Sequence, residues 1–403
     1  MPDTGLRAQA ERLVTAGRVS LGDLAIAFDE STATAADVYV EGVNFFPRMR
    51  ADIERAESSV HIIQFGFKPG KVGDLFGETL AAKARTGVPV RVVVDRNGSD
   101  PERGSRQLYD DLLGAGVDVC TSRGTQPRAP FGPLGGSSPR AKRWNLAALG
   151  HIDHRKMLVI DGRIAWVGGA GIEDHFEDGR FHDLFVRVEG PVVAQLQLVF
   201  VASFGLLGGN IPADAVEPLF PEHDEQEGVP AVVLHNAPGR FRPITDALAA
   251  SLEGAETTLD VINPYVADRG MIGRIARAAE RGVRVRMFVP ETPNNWACGA
   301  AQRFHHGRLL GAGVEIFEYP TMLHAKAVVR DGEDVLAGTC NLEAWSLKRF
   351  FEINLQIRSR ALAQQFDDRF LTPAVDVSAP GRAPTGFRQR AKSAAFAAMS
   401  PLL

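Results

Sequence analysis

Two stretches of the sequence carry the same chemically capable side chains at the same spacing. The first is His154-Arg155-Lys156, then Asp161 after four residues and Gly168-Gly169 after six more. The second is His324-Ala325-Lys326, then Asp331 and Gly338-Thr339-Cys340-Asn341. The chain has only 10 histidines, and two of them fill equivalent slots. In HRKMLVI and HAKAVVR the period-2 alternation of a strand puts His and Lys on one face and sends the residue between them to the other. Two such strands meeting across a pseudo-twofold axis would gather two imidazoles and two ammonium groups around one pocket, an inventory suited to a phosphodiester.

A neutral imidazole can attack phosphorus and form a covalent phosphohistidine, dividing one difficult displacement into two easier ones. A second imidazole on the far side can protonate the departing alkoxide, which contributes roughly 10²- to 10⁴-fold in rate. Lys156, Lys326 and the Asn341 amide can bind the non-bridging oxygens of the phosphate. This inventory calls for no metal and no cofactor. Each imidazole needs a carboxylate or carbonyl at its far nitrogen to fix its tautomer. Asp183 lies 29 residues after His154 and Glu352 lies 28 after His324, each in an apolar strand-like run, so the matching offsets select them as orienting partners.

The elements that must position these groups also come twice. ADIERAESSVHII from Ala51 resembles ASLEGAETTLDVI from Ala250. KARTGVPVRVVVD from Lys83 echoes AAERGVRVRMFVP from Ala278, and LLGAGVDVC from Leu112 echoes LLGAGVEIF from Leu309. The separations are 199, 195 and 197 residues, in the same order, which marks an internal duplication. Each copy reads as strand, helix, strand, helix, strand: Val60 to Phe65, a helix ending at Gly87, Val90 to Asp95, a helix ending at Gly114, and Val117 to Cys120. Gly87, Gly114, Gly282 and Gly311 stand where left-handed helix caps are expected. Short apolar strands alternating with helices predict an α/β fold with a largely parallel sheet covered on both faces.

The predicted organisation is an N-terminal helical segment over 1–37, a first half over 38–216, an acidic linker over 217–230, a second half over 231–380 and a basic amphipathic segment over 381–403. The first half contains a basic loop, 121–150, with Arg123, Arg128, Arg140, Lys142 and Arg143 and no acid, which reads as a lid or phosphate-gathering loop. The C-terminal segment can lie on an anionic bilayer or dock on the protein's own surface. The apolar run Val192 to Leu207 is interrupted by glutamines, serine and glycine, and reads as a buried helix.

Composition narrows the partners. With 403 residues and 45% hydrophobic content the chain is long enough for about two domains. A formal charge of -4 argues against a surface that tracks nucleic-acid phosphates. Three cysteines without CxxC spacing suggest neither a disulfide framework nor a zinc site, and point to a reducing cytoplasm. His151, Asp153 and His154 could ligate zinc. The duplicated His-x-Lys explains His154 without it. His305 and His306 read as part of a polar helix surface, and Cys340 as a buried filler.

The duplicated HxKx4D with its glycine-rich turn resembles the phospholipase D superfamily. GHIDHRKMLVIDGRIAWVGG, HDLFVRVEGPVVAQLQLVF, HAKAVVRDG and GTCNLEAWSLKRFFEINL are similar to its cardiolipin synthase-like branch, and the likeness runs from about Val38 to Leu403. The resemblance implies an α/β chain of two pseudo-twofold-related phospholipase D-like α/β/α sandwich halves sharing one active site. It implies His154 as nucleophile and His324 as general acid and later base. Asp161 and Asp331 would support the fold, and Asp183 and Glu352 would pair with the histidines. The sequence departs from that pattern at Gly171, where the usual Asn is missing, at Trp345, which stands for Arg, and at Ile152, often Arg. No segment of this sequence reads like the membrane-spanning N-terminal helices common in that branch. The implied activity is a phosphatidyl transferase or phospholipase D acting on a glycerophospholipid with an alcohol acceptor or water, peripheral to the membrane. The alternative is a phosphodiesterase or nuclease of the same superfamily. The sequence does not define the oligomeric state.

Overall fold

The computed structural model describes residues 4–122, 132–133, 152–223, 227–239 and 241–399. Most of the basic loop 121–150, and His151 with it, lies outside the described residues. Two large mixed sheets carry the duplication. In the first, strands Val60–Gln64, Val90–Asp95 and Asp118–Ser122 run parallel. In the second, Thr258–Ile262, Arg284–Pro290 and Glu315–Tyr319 repeat that arrangement.

The expectation of a largely parallel sheet is corrected by the strands that carry and succeed each motif. Lys156–Ile160, Ile164–Gly168 and Leu184–Glu189 are added antiparallel, and Ala35–Val40 closes the edge antiparallel as well. Ala327–Arg330, Asp334–Gly338 and Glu352–Arg358 do the same in the second sheet. The reason is in the motif. Asp161 and Gly162 have φ of 54° and 61°, Asp331 and Gly332 have 53° and 62°, and two successive left-handed residues make the tight turn that returns a strand antiparallel to itself.

Three helices cover the outer face of each sheet: Gly42–Arg55, Lys71–Arg85 and Arg106–Gly114 in the first half, and Pro243–Glu253, Arg269–Glu280 and Trp296–Gly311 in the second. The inner faces look toward one another across a shared apolar core. Val38, Ile63, Val167 and Val186 of one sheet belong to the same buried cluster as Ile262, Val329, Ile353 and Leu355 of the other. Helix Val192–Leu206 runs through that cluster, buried from Val192 to Ser203 and on through Phe204. Its polar residues are answered: Gln195 donates to Asp29 O, Gln197 meets the ring of His61, and Ser203 donates to Val199 O. The two halves are therefore layers of one body whose core neither could bury alone.

Several expectations shift in detail. Segment 1–37 holds helix Thr4–Thr15 but also strand Ser31–Ala33, which pairs with Val229–Asn236 of the second sheet. Left-handed conformations fall at Gly87 and Gly282 as predicted, but at Gly116 and Gly313 rather than Gly114 and Gly311, because those two helices continue to their glycines. His306 is fully buried, its Nδ1 3.2 Å from Arg382 O, because the segment near 380 folds over it. The C-terminal helix Phe387–Ala398 docks on Trp296–Gly311: Phe396 packs edge-on against Trp296 at 4.8 Å, and Arg269 donates to Ala397 O.

Candidate active site

Each motif histidine lies just before its strand rather than within it, held by backbone from the opposite half. Asp153 forms a parallel bridge with Phe351, closed by His154 N donating to Phe351 O at 3.0 Å and Phe351 N to Ile152 O at 3.0 Å. In the second half Met322–Leu323 pairs in parallel with Phe181–His182, and His324 N donates to His182 O at 2.7 Å. The next residues along the partner segments are Glu352 and Asp183. This exchange of short strands places each imidazole beside the other half's carboxylate.

His154 Nδ1 lies 3.0 Å from Oε1 and 3.1 Å from Oε2 of Glu352. His324 Nδ1 lies 2.7 Å from Oδ2 of Asp183. The four predicted residues meet, but the offsets that selected them count within a half whereas the hydrogen bonds cross between halves. Both carboxylates are fully buried, and Nδ1 donating to each leaves Nε2 with its lone pair toward the pocket. The imidazole side chains keep 12% and 11% exposure, enough to meet a ligand. Thr339 Oγ1 donates to Glu352 Oε2 at 2.5 Å, and Leu184 N donates to Asp183 Oδ1 at 2.8 Å, fixing both carboxylates from behind. At Gly169, the counterpart of Thr339, a Cβ would stand 2.4 Å from Asp183 Oδ1, so the shorter acid approaches only because the residue is glycine.

The lysines are buried beside the rings. Lys156 Nζ donates to His154 O at 2.6 Å, and Lys326 Nζ meets the carbonyl of His324 and lies against its ring, 2.8 Å from Nδ1 and 3.1 Å from Nε2. Burial pushes the Lys156 ammonium down to about 8 although Glu352 and Asp183 oppose the shift. Burial pushes Lys326 to about 7, with Asp183 resisting and Lys156 adding repulsion. His154 is lowered by burial against the pull of Glu352, and His324 is lowered to about 3 by burial and the Lys326 charge. Each ring feels the lysine of the other half, as expected of one shared cluster. Burial thus pushes both imidazoles toward the neutral form and works against the charge on both lysines.

Asp161 and Asp331 stand away from this cluster. Asp161 accepts from the backbone N–H groups of Glu57, Ser58 and Ser59, and Asp331 from those of Glu256, Thr257 and Thr258. Asn341 is buried, its Nδ2 3.4 Å from Ser346 Oγ and its Oδ1 without a partner among the described residues. Cys340 is buried in the same turn.

Aromatic rings wall the site. Phe65 lies edge-on to His154 at 5.1 Å with Lys156 Nζ 5.0 Å above it, and Phe176 lies edge-on to His324 at 5.4 Å. Sequence reasoning passed over these rings, Thr339 and two anchors. Arg155 is buried, forks onto Asp153 at 2.6 and 2.8 Å and reaches Ser203. Asp95, pushed up to about 6 by burial, accepts from Ser122 and Asp153 N. The signal was present: Arg155 and Asp95 correspond to Ala325 and Pro290 in the repeat, so both mark places where the halves differ. Asp153 and His154 are engaged with Arg155 and Glu352, and among the described residues no group of three His, Cys, Asp or Glu side chains could hold a metal ion.

Two α/β halves that exchange a histidine and a carboxylate across a pseudo-twofold axis define a phospholipase D-type architecture. The sequence model described as "Cardiolipin synthase, PLD-like domain" matches residues 49–200 and 248–372, and the chain belongs to that family. A cardiolipin synthase of Listeria welshimeri serovar 6b is 27% identical over 343 residues, covering 83% of this chain and 68% of that protein. One from Geobacillus kaustophilus is 29% identical over 333 residues, covering 80% and 63%. Among solved structures, the phosphatidylserine synthase of Haemophilus influenzae Rd KW20 superposes with a TM-score of 0.67 at 13% identity, covering 98% of this chain and 100% of that one, a likeness of fold. Among the described residues no helix is long and apolar enough to cross a membrane.

Proposed function

We propose that this protein moves the phosphatidyl group of a glycerophospholipid from one alcohol to another through a phosphohistidine on His154. The observation that carries this reading is the crossed pairing of His154 with Glu352 and His324 with Asp183. With Nδ1 engaged, His154 Nε2 attacks phosphorus and a P–N bond forms as the P–O bond to the leaving alcohol breaks. The alkoxide takes its proton from His324. The acceptor alcohol then gives its proton to His324 as its oxygen attacks phosphorus and the P–N bond breaks, restoring both rings.

Lys156, Lys326 and Asn341 bind the non-bridging oxygens, so charge is offset without a metal. Burial and the Lys326 charge hold His324 neutral in the free site, so the ring takes up its proton together with the substrate. A phosphodiester anion between the rings supplies the negative charge that draws the proton onto the imidazole. Water in place of the alcohol gives hydrolysis by the same route. The substrate resides in a bilayer. The protein meets an anionic surface through the docked C-terminal helix, where Lys392 sits over Trp296 and Trp296 and Met399 stay 60% and 46% exposed.

The test is incubation with phosphatidylglycerol vesicles and a panel of alcohols, read by mass spectrometry for phosphatidyl-alcohol products. Formation of such products, with a phosphoryl adduct trapped on His154 and lost in His154→Ala, is expected. Products formed equally well by His154→Ala would exclude the mechanism.

A further inference from the structure

One pair of equivalent positions holds the same residue in two different roles. In the second half the turn reads Asn341-Leu342-Glu343, and Glu343 caps helix Ala344–Lys348 by accepting from Trp345 N at 2.6 Å and Ser346 N at 2.9 Å. In the first half it reads Gly171-Ile172-Glu173, before the short helical turn Asp174–Phe176. Glu173 holds the capping position there, yet its side chain makes no capping hydrogen bond.

The freed carboxylate turns instead toward the place an asparagine side chain would occupy. A Cβ at Gly171 would stand 2.9 Å from Glu173 Oε1, and one at Gly66 would stand 2.0 Å from it. Both glycines are needed for the carboxylate to sit there. Its Oε2 meets Lys68 Nζ at 3.2 Å, and His175 Nδ1 lies 3.8 Å away. The position lies between the two aromatic walls. Gly66 follows Phe65, the ring against His154, and Phe176, 3.4 Å from the Gly171 Cβ position, is the ring against His324. Glu173 is also among the acids that favour the Lys156 ammonium. Glu173 keeps 16% exposure and Lys68 43%, so the pair borders the pocket and opens to solvent.

A carboxylate here cannot replace Asn341 in binding a phosphate oxygen, because the two charges repel. It suits a hydroxyl. A carboxylate only accepts and an ammonium only donates, so together they complement a group that does both. We propose that Glu173 and Lys68 form an acceptor subsite that selects a neutral polyol, whose one hydroxyl attacks phosphorus while its neighbour donates to Glu173 and accepts from Lys68. An amino alcohol fits less well, since its ammonium meets the Lys68 charge. This rests on the phosphatidyl-transfer reading and deepens it by naming the residues that choose the acceptor.

The experiment is a competition in one vessel, with phosphatidylglycerol vesicles as donor and equal concentrations of propylene glycol, n-propanol and ethanolamine as acceptors. The ratio of phosphatidyl products is read by mass spectrometry, which makes the result independent of total rate. The unmodified protein is expected to favour the diol over the mono-alcohol. Glu173→Gln should lower that ratio by about tenfold, the scale of one hydrogen bond to a charged group. Lys68→Met, at an exposed side chain and therefore well tolerated, should raise ethanolamine use relative to the diol. Unchanged ratios in both variants would overturn the subsite alone. Absence of any phosphatidyl product from the unmodified protein would instead sink the transfer reading and the subsite with it.

Discussion

His154 Nδ1 is hydrogen-bonded to the carboxylate of Glu352, 198 residues further along the chain and on the other sheet. The reciprocal bond joins His324 to Asp183 across 141 residues. The exchange arises from backbone: the segments ending at the histidines pair in parallel with the segments ending at the carboxylates. Side-chain chemistry and halves-packing are therefore one arrangement.

The crossing separates the two histidines by experiment. Glu352→Gln removes the partner of the proposed nucleophile, and phosphohistidine formation is expected to fall on the order of 10²- to 10⁴-fold with any leaving group. Asp183→Asn impairs the proposed acid, and a substrate whose leaving group needs no protonation, such as nitrophenolate, should restore adduct formation. The reverse pattern of rescue would exchange the roles of His154 and His324.

The pH profile should be bell-shaped with its alkaline side unusually low. The lysines act in the charged form, which is lost as pH rises past the values of about 8 for Lys156 and about 7 for Lys326. His154 must be neutral, and burial holds it below the ordinary imidazole value of 6.5, so the acid limb falls below that point. In kcat/KM for a soluble short-chain phospholipid, Lys326→Arg should move the alkaline limb upward, because guanidinium stays charged there. An unmoved limb would assign it to another group.

Chelators should leave activity intact. Lys156, Lys326 and the Asn341 amide supply the positive field that a divalent cation would otherwise provide. Loss of turnover in excess EDTA, restored by added zinc, would contradict this.

The motif aspartates should affect stability first. Asp161→Ala removes the acceptor for three backbone N–H groups and places alanine at a φ of 54°, which together should cost about 2 to 4 kcal/mol. Asp161→Asn, which tolerates the left-handed turn, should cost less. Denaturant midpoints measure both, and an unchanged midpoint with abolished turnover would put Asp161 in the chemistry.

The duplication, the parallel strands of each half and the identity of the His, Lys and carboxylate set were legible because each is written in local spacing. The crossing of the pairs was not, because residues 28 and 29 positions downstream of a histidine look like its neighbours until the strand exchange is seen. The antiparallel additions hid in Asp161-Gly162 and Asp331-Gly332, which read as motif and strand end rather than as left-handed turns. Glu173 was invisible for a different reason. Its significance lies in the cap it does not make, and that appears only beside Glu343 in three dimensions.

The strand exchange also constrains how such a chain can arise and change. A polypeptide with one histidine and one carboxylate segment could satisfy both only against a second copy of itself, so this chain holds within itself the pairing that a symmetric pair of subunits would make. Within one chain each pair can settle on its own version, as Asp183 beside Gly169 and Glu352 beside Thr339 have done. A change at Glu352 has to be answered at His154, whereas Gly171, outside the exchange, stands where the other half keeps Asn341.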